Sequence, residues 1–379
     1  MNGVRTVLLA NTSWYLANFR YDLACALRAG GAEVHCIAPG GKYLQWLQGQ
    51  GFHTHALAMG DASFSPLGNL RTLRHLVELY RAIRPDLAHH FTPRCVVLGS
   101  LAAGRAGVQN VINALTGLGH VFTSDSPKSR LARPVLRAVL QRQLNRAGRA
   151  VIFQNADDLA ELVDAGIVER ERCHLIRGSG VDTEKFQPTR APRGDGEIRV
   201  LFASRLIAEK GVNELVAAME QVVREQPGAM LWLAGEPYAQ NPTSLTAAEL
   251  RLLDGLPWVK RLGHVDDVDR LLSEVDIVAL PSYREGTPKI LLEAAACGLP
   301  IVATDIAGCR GVVADGVNGF LVPVRAVEPL AAALGRLCGD AEARQAMGAR
   351  GRQIVLDGFS SERVIRGTLK VYRGLLATA

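Results

Sequence analysis

The stretch Asp276-Ile277-Val278-Ala279-Leu280-Pro281-Ser282-Tyr283-Arg284-Glu285-Gly286-Thr287-Pro288-Lys289-Ile290-Leu291-Leu292-Glu293 reads as a strand, a turn and the start of a helix. Residues 276–280 form a short apolar, β-branched run, the pattern of a core strand. A Gly-Thr-Pro turn follows. Pro288 suits the first turn of a helix, where its missing N–H would have had no intrahelical acceptor. Glu285 and Gly286 therefore belong to a loop at the C-terminal end of a strand. Glu293, eight residues beyond Glu285, lies about one and a half turns down the helix. Open α/β sheets bind their ligands at this place. A helix N-terminus there offers unpaired N–H groups and a positive partial charge to an anion or an electron-rich hydroxyl.

The same strand-then-helix pattern runs through almost the whole chain. Strands are expected at 5–10, 33–38, 86–91, 110–115 and 150–154, with helices between them, for example at 70–83 and 131–145. Near 178–197 the pattern breaks into Gly-Ser-Gly-Val-Asp, Gln-Pro and Arg-Ala-Pro-Arg-Gly-Asp-Gly, the composition of a linker. A second series follows, with strands at 198–203, 229–234, 259–262, 276–280 and 300–303 and helices such as 212–224 and 266–274. Residues 360–376 close the chain as a helix with a serine cap. Alternating β and α elements build doubly wound parallel sheets. The expected fold is therefore α/β, with two Rossmann-like doubly wound domains facing a central cleft. They span 1–178 and 198–358, a linker at 179–197 joins them, and a terminal helix at 359–379 packs back on the first.

The chain has 379 residues, and its hydrophobic fraction of 48% is enough for two buried cores. No run of about 18 uninterrupted apolar residues occurs, so no spanning helix is expected. The N-terminus enters a first core strand, Val4-Arg5-Thr6-Val7-Leu8-Leu9-Ala10, without the basic region and cleavage site of a signal peptide. The seven cysteines are scattered and form no C-x-x-C pair. That pattern fits a reducing cytosol and argues against a disulfide framework or a zinc cluster.

The net charge of +6 is unevenly spread: residues 1–190 carry 22 Lys/Arg against 14 Asp/Glu, and residues 191–379 carry 21 against 23. The excess centres on 128–149, with seven basic residues and no acidic one. A one-sided basic half points to an anionic partner. Arg130, Arg133 and Arg137 fall on one helical stripe and Arg142, Arg146 and Arg149 on another, with leucines and valines between. Such a segment suits an anionic membrane surface, or it is an ordinary helix with a solvated basic face. Nucleic acid is not an expected partner, because no aromatic residues interleave with the arginines.

Strand 200–203 leads into Ser204-Arg205-Leu206-Ile207-Ala208-Glu209-Lys210-Gly211, so Arg205 and Lys210 flank the first βα loop of the second domain. Arginine offers a fork of N–H donors and lysine a compact charge, and two cations at a strand's C-terminal edge can hold a diphosphate. The plainer alternative places both on the surface, pairing with Glu209 or Glu214. Glu293 sits within Ile290-Leu291-Leu292-Glu293-Ala294-Ala295-Ala296, where a carboxylate is costly unless bonded. Acceptance from two sugar hydroxyls would account for it, against the alternative of an ordinary helix residue. Asp267-Val268-Asp269 matches a D-x-D metal motif but falls in the first turn of an expected helix, where acids favour the dipole. No metal is expected on that reading. Neither a G-x-G-x-x-G after the first strand nor a G-x-x-x-x-G-K-[ST] occurs, which argues against a nicotinamide dinucleotide fingerprint and a P-loop.

Taken together, strand–S-R-x-x-x-x-K-G–helix and E-G-x-P-x-x-x-x-E resemble the retaining glycosyltransferases of family four, which have the GT-B fold. Gly180-Val181-Asp182, Phe186-Gln187-Pro188, Gly263-His264-Val265 and Asp315-Gly316-Val317-Asn318-Gly319-Phe320-Leu321-Val322 resemble further stretches of that family. The resemblance spans nearly the whole chain. It implies that Arg205 and Lys210 bind the diphosphate of a nucleotide-sugar. Glu285 and the amides of Gly286, Thr287, Lys289 and Ile290 would face the transferred sugar and its phosphate. Glu293 would accept from the ribose hydroxyls, and the backbone near His264 and Val265 would border the base. The opening Asn11-Thr12-Ser13-Trp14-Tyr15-Leu16-Ala17-Asn18-Phe19-Arg20 is similar to the bacterial capsule and O-antigen branch, whose acceptors are sugars on polyprenyl diphosphate. The resemblance thus implies a UDP-sugar donor, such as a UDP-N-acetylhexosamine, with no cofactor required. It also implies a lipid-linked glycan acceptor and a peripheral position on the cytoplasmic face of the inner membrane.

Two departures stand out. The first loop reads Asn-Thr-Ser-Trp-Tyr where many members carry glycines, and Thr116 stands where many carry a histidine of a His-Gly pair. His90, at the end of a strand, and His120 are the remaining histidine candidates for the acceptor side; each has the alternative of a structural or solvent-facing residue. Two other readings stay open: a nucleotide-sugar epimerase of related fold, and a non-catalytic membrane-bound scaffold that keeps the basic helix.

Overall fold

In the computed structural model of the chain, residues 1–59, 65–115, 127–188, 196–238 and 241–377 are described, with the backbone alone for 127–132. The chain divides into two units, Met1–Ser179 with Glu362–Ala379, and Gly180–Ser361. The first unit holds strands β1 (Arg5–Leu9), β2 (Glu33–Ala38), β3 (His53–Ala56), β4 (Leu87–Phe91), β5 (Asn110–Leu115), β6 (Arg149–Phe153) and β7 (Cys173–Leu175). Its helices are α1 (Ser13–Phe19), α2 (Tyr21–Ala29), α3 (Lys42–Gly49), α4 (Pro66–Ile83), α5 (Pro93–Ala106), α6 (Pro127–Leu144) and α7 (Ala156–Asp164). The second unit holds β8 (Ile198–Ala203), α8 (Val212–Glu225), β9 (Ala229–Ala234), α9 (Ala247–Asp254), β10 (Val259–Gly263) and α10 (Val268–Ser273). It continues with β11 (Ile277–Leu280), α11 (Lys289–Ala296), β12 (Ile301–Thr304), α12 (Ala307–Arg310), β13 (Gly319–Val322), α13 (Val327–Gly339) and α14 (Ala341–Gly358). The terminal helix α15 (Ser361–Ala377) packs in the first unit.

Both sheets are parallel, in the orders β3-β2-β1-β4-β5-β6-β7 and β10-β9-β8-β11-β12-β13. In each, the chain winds outward from its first strand and then returns to the other side of that strand. The reversal falls between β1 and β4 in one sheet and between β8 and β11 in the other. Both reversals are fastened alike. The Asp86 carboxylate accepts from the Arg5 amide at 2.8 Å, and the Asp86 amide donates to the Arg5 carbonyl at 2.9 Å. Asp276 and Arg199 repeat the two bonds at 2.8 and 2.9 Å.

The strands are continuous apolar runs because helices cover both faces. Val7 and Leu9 of β1 join a core cluster with Leu76 and Tyr80 of α4, while Leu8 joins one with Leu23 and Leu27 of α2 and Tyr372 of α15. Side-chain caps set several helix starts. Ser65 accepts from the Gly68 amide ahead of α4, with Pro66 in the first turn, and Thr246 with Glu249 forms a capping box at α9.

Residues 180–188, expected within a linker, pack onto the second unit. Val181 exchanges backbone bonds with Phe359 and Ser361, and the Arg352 guanidinium donates to the carbonyls of Phe186 at 2.9 Å and Ala296 at 2.5 Å. The helix expected at 266–274 runs from Val268 to Ser273, with Asp267 in the cap position, and Asp269 in its first turn lies 3.2 Å from Lys185 Nζ. Arg149 does not continue a helical stripe. It opens β6, is buried, and donates to the carbonyls of Val108 and Gln109 at 3.4 and 3.1 Å. Among the described residues no helix is long and apolar enough to cross a membrane.

Candidate active site

The second sheet's reversal gathers the expected site residues. Arg205 and Lys210 follow β8, Glu285 follows β11, and the loops after β9 and β10 flank them on the same C-terminal edge. Two glycines permit this crowding. A Cβ on Gly211 (φ +73) would stand 2.1 Å from the Pro281 carbonyl oxygen, and one on Gly235 (φ +138) 1.9 Å from that of Ser204. Only glycine takes such a backbone next to such contacts. The loop after β8 is thereby pressed against those of β9 and β11, and the Tyr283 amide donates to the Glu209 carbonyl at 2.9 Å.

Lys210 Nζ lies 2.5 Å from Glu285 Oε1, with both side chains about one-seventh exposed (15% and 13%). The sequence alternative, in which Lys210 pairs with Glu209 or Glu214, does not hold. Glu209 accepts from Thr243 Oγ1, and Glu214 accepts from Tyr283 Oη at 2.6 Å. That acceptance, after burial, pushes the Tyr283 hydroxyl above its ordinary pKa. Arg325 stacks its guanidinium 4.5 Å from the Tyr283 ring centroid. Tyr283 is thus held from two sides, two residues before Glu285. Arg205 is exposed, its guanidinium 5.2 Å from the ring centroid of Tyr238 in the loop after β9.

Beyond Glu285 the backbone turns through Gly286, Thr287 and Pro288 into α11, with Pro288 as its cap. The first turn of α11 carries Lys289 and Ile290, so their backbone stands at the positive end of the helix. The opposite wall is α12, where a Cβ on Gly308 would lie 2.4 Å from the carbonyl oxygens of both Glu285 and Gly286. Glu293 is 6% exposed and has Lys289 Nζ at 3.4 Å. Burial raises its carboxyl above the usual range, against the pull of Lys289 and then Lys185. His264 is exposed, with Nε2 3.1 Å from Asp266 Oδ1, and Val265 is half-buried against the core. Among the described residues no group of three His, Cys, Asp or Glu is placed to hold a metal ion.

The histidine expectations fare differently. His90 does not face open space. It is 0% exposed, its Nδ1 2.9 Å from Asn113 Oδ1 and its Nε2 2.9 Å from Tyr80 Oη. Burial lowers its pKa to about 3. Its ring would touch any Cβ at Gly99 at 2.8 Å, so α5 is seated directly on it. Thr116 and His120 lie outside the described residues. The Asp315–Phe320 stretch makes a turn: Asn318 Oδ1 accepts from the Ala314 amide at 2.7 Å, and Asp315 Oδ1 accepts from the Leu321 amide at 2.9 Å. Tyr238 and Gly308 went unmarked in the sequence, since neither an aromatic in a loop nor a glycine in a short helix is distinctive there.

Two doubly wound parallel sheets in one chain, the second with two cations and a helix N-terminus at its reversal, define the GT-B class. Residues 183–354 match the family described as glycosyl transferases group 1, and residues 16–178 match the glycosyl transferase 4-like domain. The chain is 25% identical over 380 residues to the N,N'-diacetylbacillosaminyl-diphospho-undecaprenol alpha-1,3-N-acetylgalactosaminyltransferase of Campylobacter jejuni, covering 97% of this chain and 98% of that one. It is 31% identical over 311 residues to the D-inositol 3-phosphate glycosyltransferase of Saccharomonospora viridis, covering 77% and 70%. In fold it is similar to Anabaena HepE, solved with UDP and glucose, with a TM-score of 0.79, 20% identity, and 98% and 100% of the two chains covered. The chain belongs to the GT-B glycosyltransferases of family four.

Proposed function

We propose that this chain transfers a sugar from a nucleoside diphosphate donor to a glycan carried on a polyprenyl diphosphate. The donor is a UDP-sugar such as a UDP-N-acetylhexosamine, and transfer proceeds with retention and without a metal ion. One observation carries the reading: Lys210 and Glu285, from loops on either side of the sheet's reversal, meet at 2.5 Å beside the first turn of α11. The Campylobacter relative is named for a diphospho-undecaprenol-linked acceptor, and Anabaena HepE was solved with UDP.

When the bond from the anomeric carbon to the diphosphate breaks, negative charge builds on the leaving phosphate. Arg205, Lys210 and the amides of Gly286, Thr287, Lys289 and Ile290 are donors fixed in advance around that charge, usually the largest catalytic contribution. In this reading Lys210 exchanges part of its bond to Glu285 for the phosphate, and Glu285 turns to the transferred sugar. Glu293 accepts from the ribose hydroxyls, which would bring its raised carboxyl back down. The backbone at His264 and Val265 borders the base. The acceptor hydroxyl attacks from the face the leaving phosphate vacates and gives that phosphate its proton.

A thermal-shift screen of UDP-, GDP- and ADP-sugars identifies the donor, since a ligand of the folded state raises its apparent stability. With that donor, Lys210→Ala and Glu285→Ala are each expected to lower transfer at least 100-fold while the fold survives. Near-normal turnover in both, or a new sugar nucleotide formed without acceptor, would overturn the proposal.

The same reading places the chain on an anionic membrane surface through α6. Val135 is 68% exposed there, and Arg142 and Arg146 are exposed further along the segment. Each basic residue near such a surface is worth about 1 kcal/mol. Arg142→Glu with Arg146→Glu is expected to abolish cosedimentation with phosphatidylglycerol vesicles; unchanged cosedimentation would exclude α6 as the contact.

A further inference from the structure

The first sheet reverses direction between β1 and β4, as the second does between β8 and β11. At the second reversal a lysine meets a glutamate. At the first, a cation stands with no acid paired to it among the described residues. Arg20 follows β1, at the junction of α1 and α2, and is 7% exposed. Its guanidinium lies 4.5 Å from the ring centroid of Phe91, the last residue of β4, and 5.5 Å from that of Tyr15. Nη2 donates to Tyr15 Oη at 2.8 Å, and Nε is buried without a partner.

Among the described residues, the groups packed against it are neutral. His89 is buried with Nδ1 2.6 Å from Tyr372 Oη, and its Nε2 is also buried without a partner. Burial and then the Arg20 charge keep that imidazole unprotonated, while burial pushes the Tyr372 hydroxyl up. Arginine is almost never so buried unless it is paired. Faces of aromatic rings offset only part of the cost of taking a cation out of water. Among the described residues, Tyr15 and Phe91 therefore leave Nε of an arginine fork that matches phosphate geometry without an acceptor, at the place where doubly wound sheets take ligands.

We infer that Arg20 binds a phosphate-class anion at the C-terminal edge of the first sheet. Resting on the proposed function, that anion is the diphosphate of the lipid-linked acceptor. Trp14, 44% exposed in the same helix as Tyr15, would flank the group beyond it.

The test is made on the full chain carrying Arg205→Ala and Lys210→Ala, which removes the competing diphosphate site. Inorganic pyrophosphate and farnesyl diphosphate are titrated against it by 31P NMR. Saturable binding of both is expected, weakened at least tenfold by adding Arg20→Met and partly restored by Arg20→Lys. Pyrophosphate binding without farnesyl diphosphate binding would keep the anion site and remove the lipid-linked source. In the chain with intact Arg205 and Lys210, Arg20→Lys is expected to raise the acceptor KM with the donor KM within twofold. A purely structural Arg20 would instead lower the melting temperature and disturb both substrates alike. Absent binding, or binding indifferent to Arg20→Met and Arg20→Lys, overturns the inference. If Arg20→Met does not fold, the Lys variant decides alone. Anion binding at Arg20 without any sugar transfer would sink the proposed function and leave this site standing; transfer with an unaltered acceptor KM would do the reverse.

Discussion

Gly308 shows how little room the donor loop has. The carbonyl oxygens of Glu285 and Gly286 both lie where its Cβ would stand, 2.4 Å away. These are backbone atoms, so they cannot swing aside as a long side chain would. Gly308→Ala is therefore expected to push the Glu285 loop away from Lys210 rather than to unfold the unit. Overpacking of this kind costs about 1–3 kcal/mol. A displacement near 1 Å at a catalytic group costs on the order of 100-fold in rate. Turnover and thermal melting measured on the same preparation check this, and a melt more than 15 °C lower with normal specific activity of the folded fraction would contradict it. Glu285, Arg205 and Lys210 stood out in the sequence because their spacing around two expected strand ends resembles that of a known family. The sequence did not announce Gly308 or Tyr238, whose meaning comes only from backbones brought together by pairing across the sheet.

At the level of strands and helices, the first sheet buries more imidazole than its sequence suggests. His89 and His90 alternate along β4 and pack on opposite faces, each bonded to a tyrosine hydroxyl. His35 on β2 bonds Glu33 and His55, and both His35 and His55 are lowered, first by burial. Every one of these shifts has the same sign. The unfolded chain binds the proton near pH 6.5, the folded one only at lower pH, so stability present above about 6.5 is lost as pH falls. For His90 the window runs from 6.5 to about 3, and one such group contributes about 1.4 kcal/mol per pH unit within it. Glu293, raised by burial, works in the opposite direction. Melting temperature is expected to fall steeply from pH 6.5 to pH 4, and His90→Asn, uncharged throughout, is expected to melt lower overall but with a flatter slope. An unchanged slope would mean that His90 takes up its proton at the same pH in the folded and unfolded chain. The apolar run at 86–91 identified a core strand with His90 near its end. It could not show which neighbours the ring would meet, since Tyr80 and Asn113 arrive from α4 and β5. The sequence likewise placed Arg149 on a helical stripe because the basic spacing carried past Leu144, whereas α6 ends at Leu144 and the turn through Gly148 (φ +68) leads into β6.

For the whole molecule, the consequential feature is that the first unit is built from both ends of the chain. Residues 362–379 return to it after the second unit is complete. Tyr372 fixes that return. It is 0% exposed, lies in one core cluster with Leu8, Phe91 and Ile152, and bonds His89. The alternating β and α pattern made both sheets and the amphipathic last helix legible, because each is a local periodicity. The particular contact of Tyr372 with His89 was not, since nothing local ties that tyrosine to a strand 283 residues away. Truncating a fully buried aromatic to alanine costs about 3–5 kcal/mol. In Tyr372→Ala the loss also leaves His89 Nδ1 without its hydroxyl and opens a cavity beside Arg20. All of this falls in the first unit, while the second keeps its own core from Val181 to Phe359. The variant is expected to melt in two steps, the first well below the wild-type transition. The nucleotide-sugar picked out by the thermal screen should raise only the upper step. A single lowered transition that the nucleotide still shifts as a whole would show instead that the two units unfold as one.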